Sequence, residues 1–153
     1  MADRTLPYGA FNFVVEMPTG RDSADALGGF SEVTGIGTEM TVAEYRNGNS
    51  LVNHVQKVPG IFKTNDVTLK RGVVNSDDFW AWINEVRRTG PAAKRPQVTI
   101  TLRDETGAPK QRWQLRNVFP MKYTGPSLNA KGGQDVAMEE LVLSAEQIDF
   151  EAV

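Results

Sequence analysis

Apolar residues recur at every second position along most of this chain. Phe11, Phe13, Val15 and Met17 share one face of a first segment. Ile36, Met40 and Val42 alternate with Gly37, Glu39 and Thr41 in a stretch running from about Phe30 to Tyr45. Val67 and Leu69 lie within Lys63 to Arg71, and Val98, Ile100 and Leu102 alternate with Thr99, Thr101 and Arg103. Trp113 and Leu115 continue the pattern, and Leu141, Leu143 and Ala145 do so within Met138 to Phe150. A period of two marks half-buried β-strands. Asn47-Gly48 predicts the positive-φ tip of a long hairpin over about 30–71, and Asp104-Glu105-Thr106-Gly107 predicts a second, tighter turn. The polar stretch with Pro18, Gly20 and Asp22 to Asp25 reads as loop, released at Gly28-Gly29.

One segment changes period. Phe79, Trp82, Ile83 and Val86 fall at helical spacing and predict an amphipathic helix over about 76–89. Ser76 suits its N-cap, Asp77 and Asp78 suit the positive end of the dipole, and Arg87 and Arg88 suit the negative end. Gly90-Pro91 ends it. The fold class is therefore mainly β: a compact sandwich or small barrel with one flanking helix.

The 153 residues form one domain, 1–153, long enough to bury a core without disulfides or metal. With 40% hydrophobic and 24% charged residues the composition is globular, and a net charge of −2 offers no field for nucleic acid. Cysteine is absent, which excludes thiol catalysis, disulfides and cysteine-ligated zinc. The N-terminus lacks the apolar run of a signal peptide, and no stretch approaches membrane-spanning length. The expectation is a soluble chain, kept inside the cell until something moves it.

Candidate chemistry is sparse. His54 is the single histidine, so a multi-histidine metal site is excluded and no nucleophile elbow accompanies it. Glu139 and Glu140 are strand neighbours pointing to opposite faces, so they read as a solvated pair rather than catalytic carboxylates. Gly35-Ile36-Gly37 and Lys131-Gly132-Gly133 lack phosphate-loop spacing and read as strand relief and turn. Lys94-Arg95 and Lys110 to Arg116, with Trp113 interleaved, read as an edge strand with Trp113 inward rather than a nucleic-acid surface. The remaining oddity is the amount of strand with open edges. Unpaired edges invite association, and identical edges meeting head to tail around an axis close into one shared barrel.

Several stretches carry a resemblance. Glu44 to Ile83, including Lys57-Val58-Pro59-Gly60 and Asp66-Val67-Thr68-Leu69-Lys70-Arg71-Gly72, resembles the tail tube protein family of contractile phages and of phage-like injection particles. Gly28 to Ile36, Trp113 to Pro120, Gly125-Pro126 and Val136 to Leu141 resemble its other segments, in order, over nearly the whole chain. The type VI secretion tube protein is similar in fold and role. Membership implies a hexameric ring and stacked rings forming a hollow tube inside a contractile sheath. It implies a baseplate or tube initiator, a spike and a terminator as partners, and DNA or protein effectors as cargo. It also implies no enzyme activity, no cofactor, no metal and no direct membrane anchoring. Assembly in the bacterial cytoplasm, followed by residence in a tail or injection particle, is the implied location.

Two residue sets follow as expectations. Arg46, Asn47, Gly48, Asn49, Ser50, Leu51 and Val55 reach toward a neighbouring subunit or ring, because the hairpin is longer than its own core needs. Glu39, Thr41, Thr68, Lys70, Glu140 and Ser144 are the polar sides of the lumen-lining strands. The rival readings are a tube initiator at the baseplate junction and a monomeric β-barrel binding domain.

Overall fold

A computed structural model describes residues 5–17, 29–73, 78–93, 95–133 and 135–153. Ser76, Asp77, Lys94 and the loop reading over 18–28 lie outside the described residues. In chain order the strands are β1 (Phe13–Glu16), β2 (Glu32–Thr34), β3 (Thr38–Tyr45), β4 (Gln56–Thr64) and β5 (Val67–Gly72). The helix α1 (Asp78–Thr89) and a 3-10 turn (Gly90–Ala92) follow. Then come β6 (Val98–Arg103), β7 (Pro109–Arg116), β8 (Phe119–Thr124), β9 (Met138–Ser144) and β10 (Gln147–Ala152).

The strands form two four-stranded antiparallel sheets, ordered β1-β6-β7-β10 and β2-β5-β9-β8, plus the separate hairpin β3-β4. Val15, Val98, Ile100 and Leu115 from the first sheet meet Val67, Leu69, Leu141 and Leu143 from the second in one buried core. The period-two pattern thus resolves into a sandwich, each strand giving one face to the interior. Phe79 and Trp82 of α1 enter the same core, with Ile83 and Val86 packed beside them. The helix lies along β8: the Trp80 ring meets Tyr123 at a tilt of 54° with centroids 4.9 Å apart, and Val86 and Gly90 border a notch shared with Phe119. Each buried large apolar side chain contributes about 1.5–3 kcal/mol toward holding the sandwich together.

Several expectations are corrected. The first strand starts at Phe13, and Phe11 is exposed. The stretch from Phe30 to Tyr45 is not one strand. It breaks between β2 and β3 at Gly35, whose φ is +84° and where an added Cβ would overlap the Asp66 carbonyl oxygen. The facing segment Lys63 to Arg71 breaks at Asn65-Asp66. Pairing nevertheless keeps register across the gap, with Thr34 opposite Thr68 and Thr38 opposite Thr64. Met138 to Phe150 likewise divides, because the chain turns at Ala145-Glu146 and crosses from the second sheet to the first. Alternation alone cannot reveal a corner where both limbs keep a period of two. The β7 strand is central, not an edge, since β6 and β10 flank it. The helix does end before Gly90, as expected: α1 stops at Thr89, Gly90 takes φ +58°, and a separate 3-10 turn follows to Ala92.

Glu139 is buried rather than solvated. Its carboxylate accepts from Arg71 Nε at 2.5 Å and from the Tyr123 hydroxyl at 2.9 Å. The Arg71 guanidinium also sits 3.7 Å from the Phe79 ring centroid, which ties the start of α1 to β5 and β9. Glu140 takes the opposite face, as strand geometry requires.

Candidate assembly surface

The β3-β4 hairpin stands clear of the sandwich. All of β3 and all of β4 except Thr64 are exposed, so neither face of this ribbon has a partner within the described chain. Val42, Val58, Ile61, Phe62 and, at the tip, Leu51 and Val52 are exposed apolar side chains. A two-stranded ribbon with both faces wet is marginal at best in water. Exposed apolar side chains in continuous array mark an interface. The whole chain exposes 11047 Å². A compact protein of 16.9 kDa exposes about 7,700 Å².

Local chemistry explains why the ribbon still holds a defined shape. Between Met40 and Val42 the register shifts, so Gly60 and Ile61 together oppose Thr41. The Thr41 hydroxyl accepts from the Ile61 amide at 2.9 Å and donates to its carbonyl at 3.3 Å, closing the bulge. A Cβ at Gly60 would lie 2.5 Å from Thr41 Oγ1, so this position needs glycine. At the tip, Arg46 donates to the carbonyls of Ser50 and Val52, both at 3.2 Å, and Tyr45 donates to Asn47 Oδ1. Ser50 N–H donates to the Asn47 carbonyl at 3.1 Å. Neither Asn47 nor Gly48 adopts the positive φ expected there, which corrects that reading of the tip. The reversal is spread over residues 46–55 instead.

Arg46, Asn47, Gly48, Asn49, Leu51 and Val55 are exposed on this tip, with Ser50 half-buried among them. The guanidinium of Arg46 is turned onto its own loop, a role that sequence reading did not assign. The other residue set divides. Thr68, Lys70, Glu140 and Ser144 lie on the outer polar face of the second sheet, where Lys70 opposes Glu140 and Glu32. Lys70 Nζ stands 3.8 Å from Glu32 Oε2. Glu39 and Thr41 belong to the hairpin, beyond the break at Gly35, with Glu39 3.9 Å from Lys63.

The strands β2 and β8 border the second sheet, each with one side unpaired among the described residues. A four-stranded sheet with two free edges and one polar face can be continued by copies of itself. Among the described residues no cluster of histidine and carboxylates could hold a metal, and no helix is long and apolar enough to cross a membrane. Arg95, Lys110, Arg112 and Arg116 pair with Glu146, Asp104, Glu151 and Asp149, so each of these four basic residues has a carboxylate partner within the chain. Asp104, held by Thr106 and then by the Ala108 and Thr106 amides and Lys110, has its pKa lowered to about 2 and serves the β6-β7 turn.

Comparison with known proteins agrees with this reading. Residues 9–149 match the family described as T4-like virus tail tube protein gp19. No curated protein sequence matches. A chain of the sheath-tube complex of the extracellular contractile injection system PVC, in the extended state, superposes with a TM-score of 0.83 at 26% identity, covering 97% of this chain and 94% of that one. The tube terminating cap of the anti-feeding prophage gives a TM-score of 0.84 at 22% identity, covering 100% and 96%. Hcp1 from Flavobacterium johnsoniae shares the fold more distantly, with a TM-score of 0.55 at 10% identity, covering 94% and 97%. A match over this much of the chain leaves one assignment: the protein is a structural, non-enzymatic member of the T4-like tail tube protein family.

Proposed function

We propose that this chain is the repeating subunit of the inner tube of a contractile tail or injection particle. The carrying observation is the hairpin exposed on both faces beside a sheet with two free edges. Copies join β8 of one subunit to β2 of the next around an axis, so that four strands per subunit continue into one closed barrel. Six copies complete the ring. The outer face of the second sheet then faces the lumen, with Thr68, Lys70, Glu140 and Ser144 on it and Glu39 and Thr41 continuing it along the hairpin. Residues 46–55 leave the ring and meet a neighbouring copy. A sheath surrounds the tube, and a baseplate, spike and terminator bound its length, as the resemblance to sheath-tube and cap chains supports. Assembly takes place in the bacterial cytoplasm, and DNA or protein effectors pass through the lumen.

Negative-stain microscopy of purified protein across a concentration series tests this. Rings at low concentration and tubes at high concentration are expected. A monomer at every concentration overturns it. The similarity to a terminating cap keeps one second reading, a subunit confined to a tube end. That reading predicts single rings that add one layer to a preformed tube or baseplate and never elongate.

A further inference from the structure

The chain crosses between the two sheets at two neighbouring places. One crossing, from β7 to β8, runs through Asn117-Val118, and the other, from β9 to β10, runs through Ala145-Glu146. They lie side by side, since Arg116 pairs with Gln147 and Phe119 with Ser144. Glu146 ties them together. Its carboxylate accepts from Asn117 Nδ2 at 2.8 Å and from Arg95 Nη1 at 2.6 Å, and its amide donates to the Arg116 carbonyl at 3.1 Å. Asn117, with φ +53°, is the one non-glycine residue among those described that takes a positive φ. Asparagine tolerates this region better than most residues, and a backbone of this kind persists where its surroundings over-determine it. Arg95 arrives from the segment after the 3-10 turn and lies over the Phe119 ring, 5.2 Å from its centroid. The end of the helix is thereby joined to the same corner.

The hairpin is rooted at this corner. Breaks at Gly35 and at Asn65-Asp66 separate β3 and β4 from β2 and β5, so the ladder alone leaves the ribbon's angle to the sandwich open to bending. Thr64 is the one residue of β3 or β4 that is not exposed, and its hydroxyl donates to the Glu146 carbonyl at 3.3 Å. Among the described residues, the other side-chain bonds of these two strands stay within the hairpin. We propose that Glu146 is a positioning residue: with Arg95 and Asn117 it fixes the corner that receives Thr64, and so sets the angle at which the hairpin leaves the sandwich. A tilt of about 10° at Thr64 moves the far end of a ribbon about 27 Å long by about 5 Å, the spacing of one whole strand. Control of that angle therefore decides whether the ribbon arrives in register with whatever it meets. The latch itself is independent of the tube reading above, whereas its effect on assembly rests on that reading.

The chain has no cysteine, so spin labels attach only where cysteines are introduced. Asn49→Cys at the tip and Asn84→Cys on the exposed side of α1 hold two labels whose separation reads the hairpin angle in the dispersed subunit. This labelled parent is expected to give one narrow distance distribution. Glu146→Ala and Thr64→Val should each lower the population at that distance by about fivefold, the worth of one ordinary hydrogen bond, with the circular dichroism of the sandwich unchanged. Glu146→Arg with Arg95→Glu should restore the narrow distribution, because the pair re-forms in reverse and the Asn117 amide can turn to present its oxygen. A role confined to general stability would not respond to that exchange. In the two single variants the concentration at which tubes form should rise by about the same fivefold factor. A parent already broad, a Glu146→Ala variant as narrow as the parent, or an exchange that restores nothing overturns the latch. Broadened variants that form tubes at the parent's concentration overturn its part in assembly. A narrow parent that never forms tubes defeats the tube reading and leaves the latch standing.

Discussion

Arg71 and Glu139 lie 68 positions apart in the chain and meet inside the sandwich, with Arg71 Nε donating to Glu139 Oε1 at 2.5 Å. Both side chains are almost wholly buried. Removing one member of a buried, hydrogen-bonded ion pair costs about 3–5 kcal/mol. Glu139→Ala is therefore expected to lower unfolding free energy by about that much. Arg71→Met with Glu139→Leu should recover most of the loss. Denaturant titration of the dispersed subunit at one fixed protein concentration reads both, since assembly itself adds apparent stability.

Tyr123 extends the same network and supplies its pH dependence. Burial, followed by its bond to the Glu139 carboxylate, raises the hydroxyl pKa above the usual 10.0. A group whose folded pKa is raised stabilises fully below its unfolded pKa and loses that contribution as pH climbs through the folded value. Wild-type stability should accordingly fall as pH rises beyond about 10, and more steeply than in Tyr123→Phe. At neutral pH the variant should be weaker by about 1 kcal/mol for the lost hydrogen bond. Equal alkaline slopes in the two proteins would remove Tyr123 from this account.

Glycine at position 35 joins the sandwich to the hairpin. With φ at +84° and the Asp66 carbonyl oxygen 2.2 Å from where a Cβ would stand, Gly35→Ala meets both strain and overlap. The conformational part alone costs about 1–2 kcal/mol. The variant is expected to keep its sandwich core while tubes fail to form, checked by circular dichroism beside microscopy. Normal tubes from Gly35→Ala would show that the junction tolerates another path.

Lumen placement makes a labelling prediction. Single cysteines at Thr68, Lys70, Glu140, Ser144, Glu39 and Thr41 should resist a bulky thiol reagent in tubes closed at both ends. They should react once the tubes are dissociated. Labelling of the intact, closed tubes would put these faces on the outside instead.

How far the sequence spoke depends on the distance over which each signal acts. Alternation identified the interior faces of β5, β6 and β9, because Val67, Leu69, Val98, Ile100, Leu141 and Leu143 are all buried. The stripe of Phe79, Trp82, Ile83 and Val86 placed the helix against the core for the same local reason. Breaks at Gly35 and Ala145 were invisible, since both limbs keep the same period and only tertiary pairing separates them. Glu139 looked like one of two surface carboxylates because its partner Arg71 is remote in sequence. The exposed apolar residues of the hairpin read as ordinary strand, and nothing in their spacing announces that both faces lack cover within one chain. The projection of the hairpin beyond the sandwich was legible from its excess length. The inward turn of Arg46 was not, because it depends on where the Ser50 and Val52 carbonyls fall.

The bare ribbon also sets which form of the protein is fragile. A lone copy offers a protease an extended, unprotected strand pair, whereas a seated copy has that backbone covered. Cleavage follows the population of accessible chain. On the proposed tube reading, free copies are therefore expected to be cleaved faster than incorporated ones, which would make the assembled particle the longer-lived species.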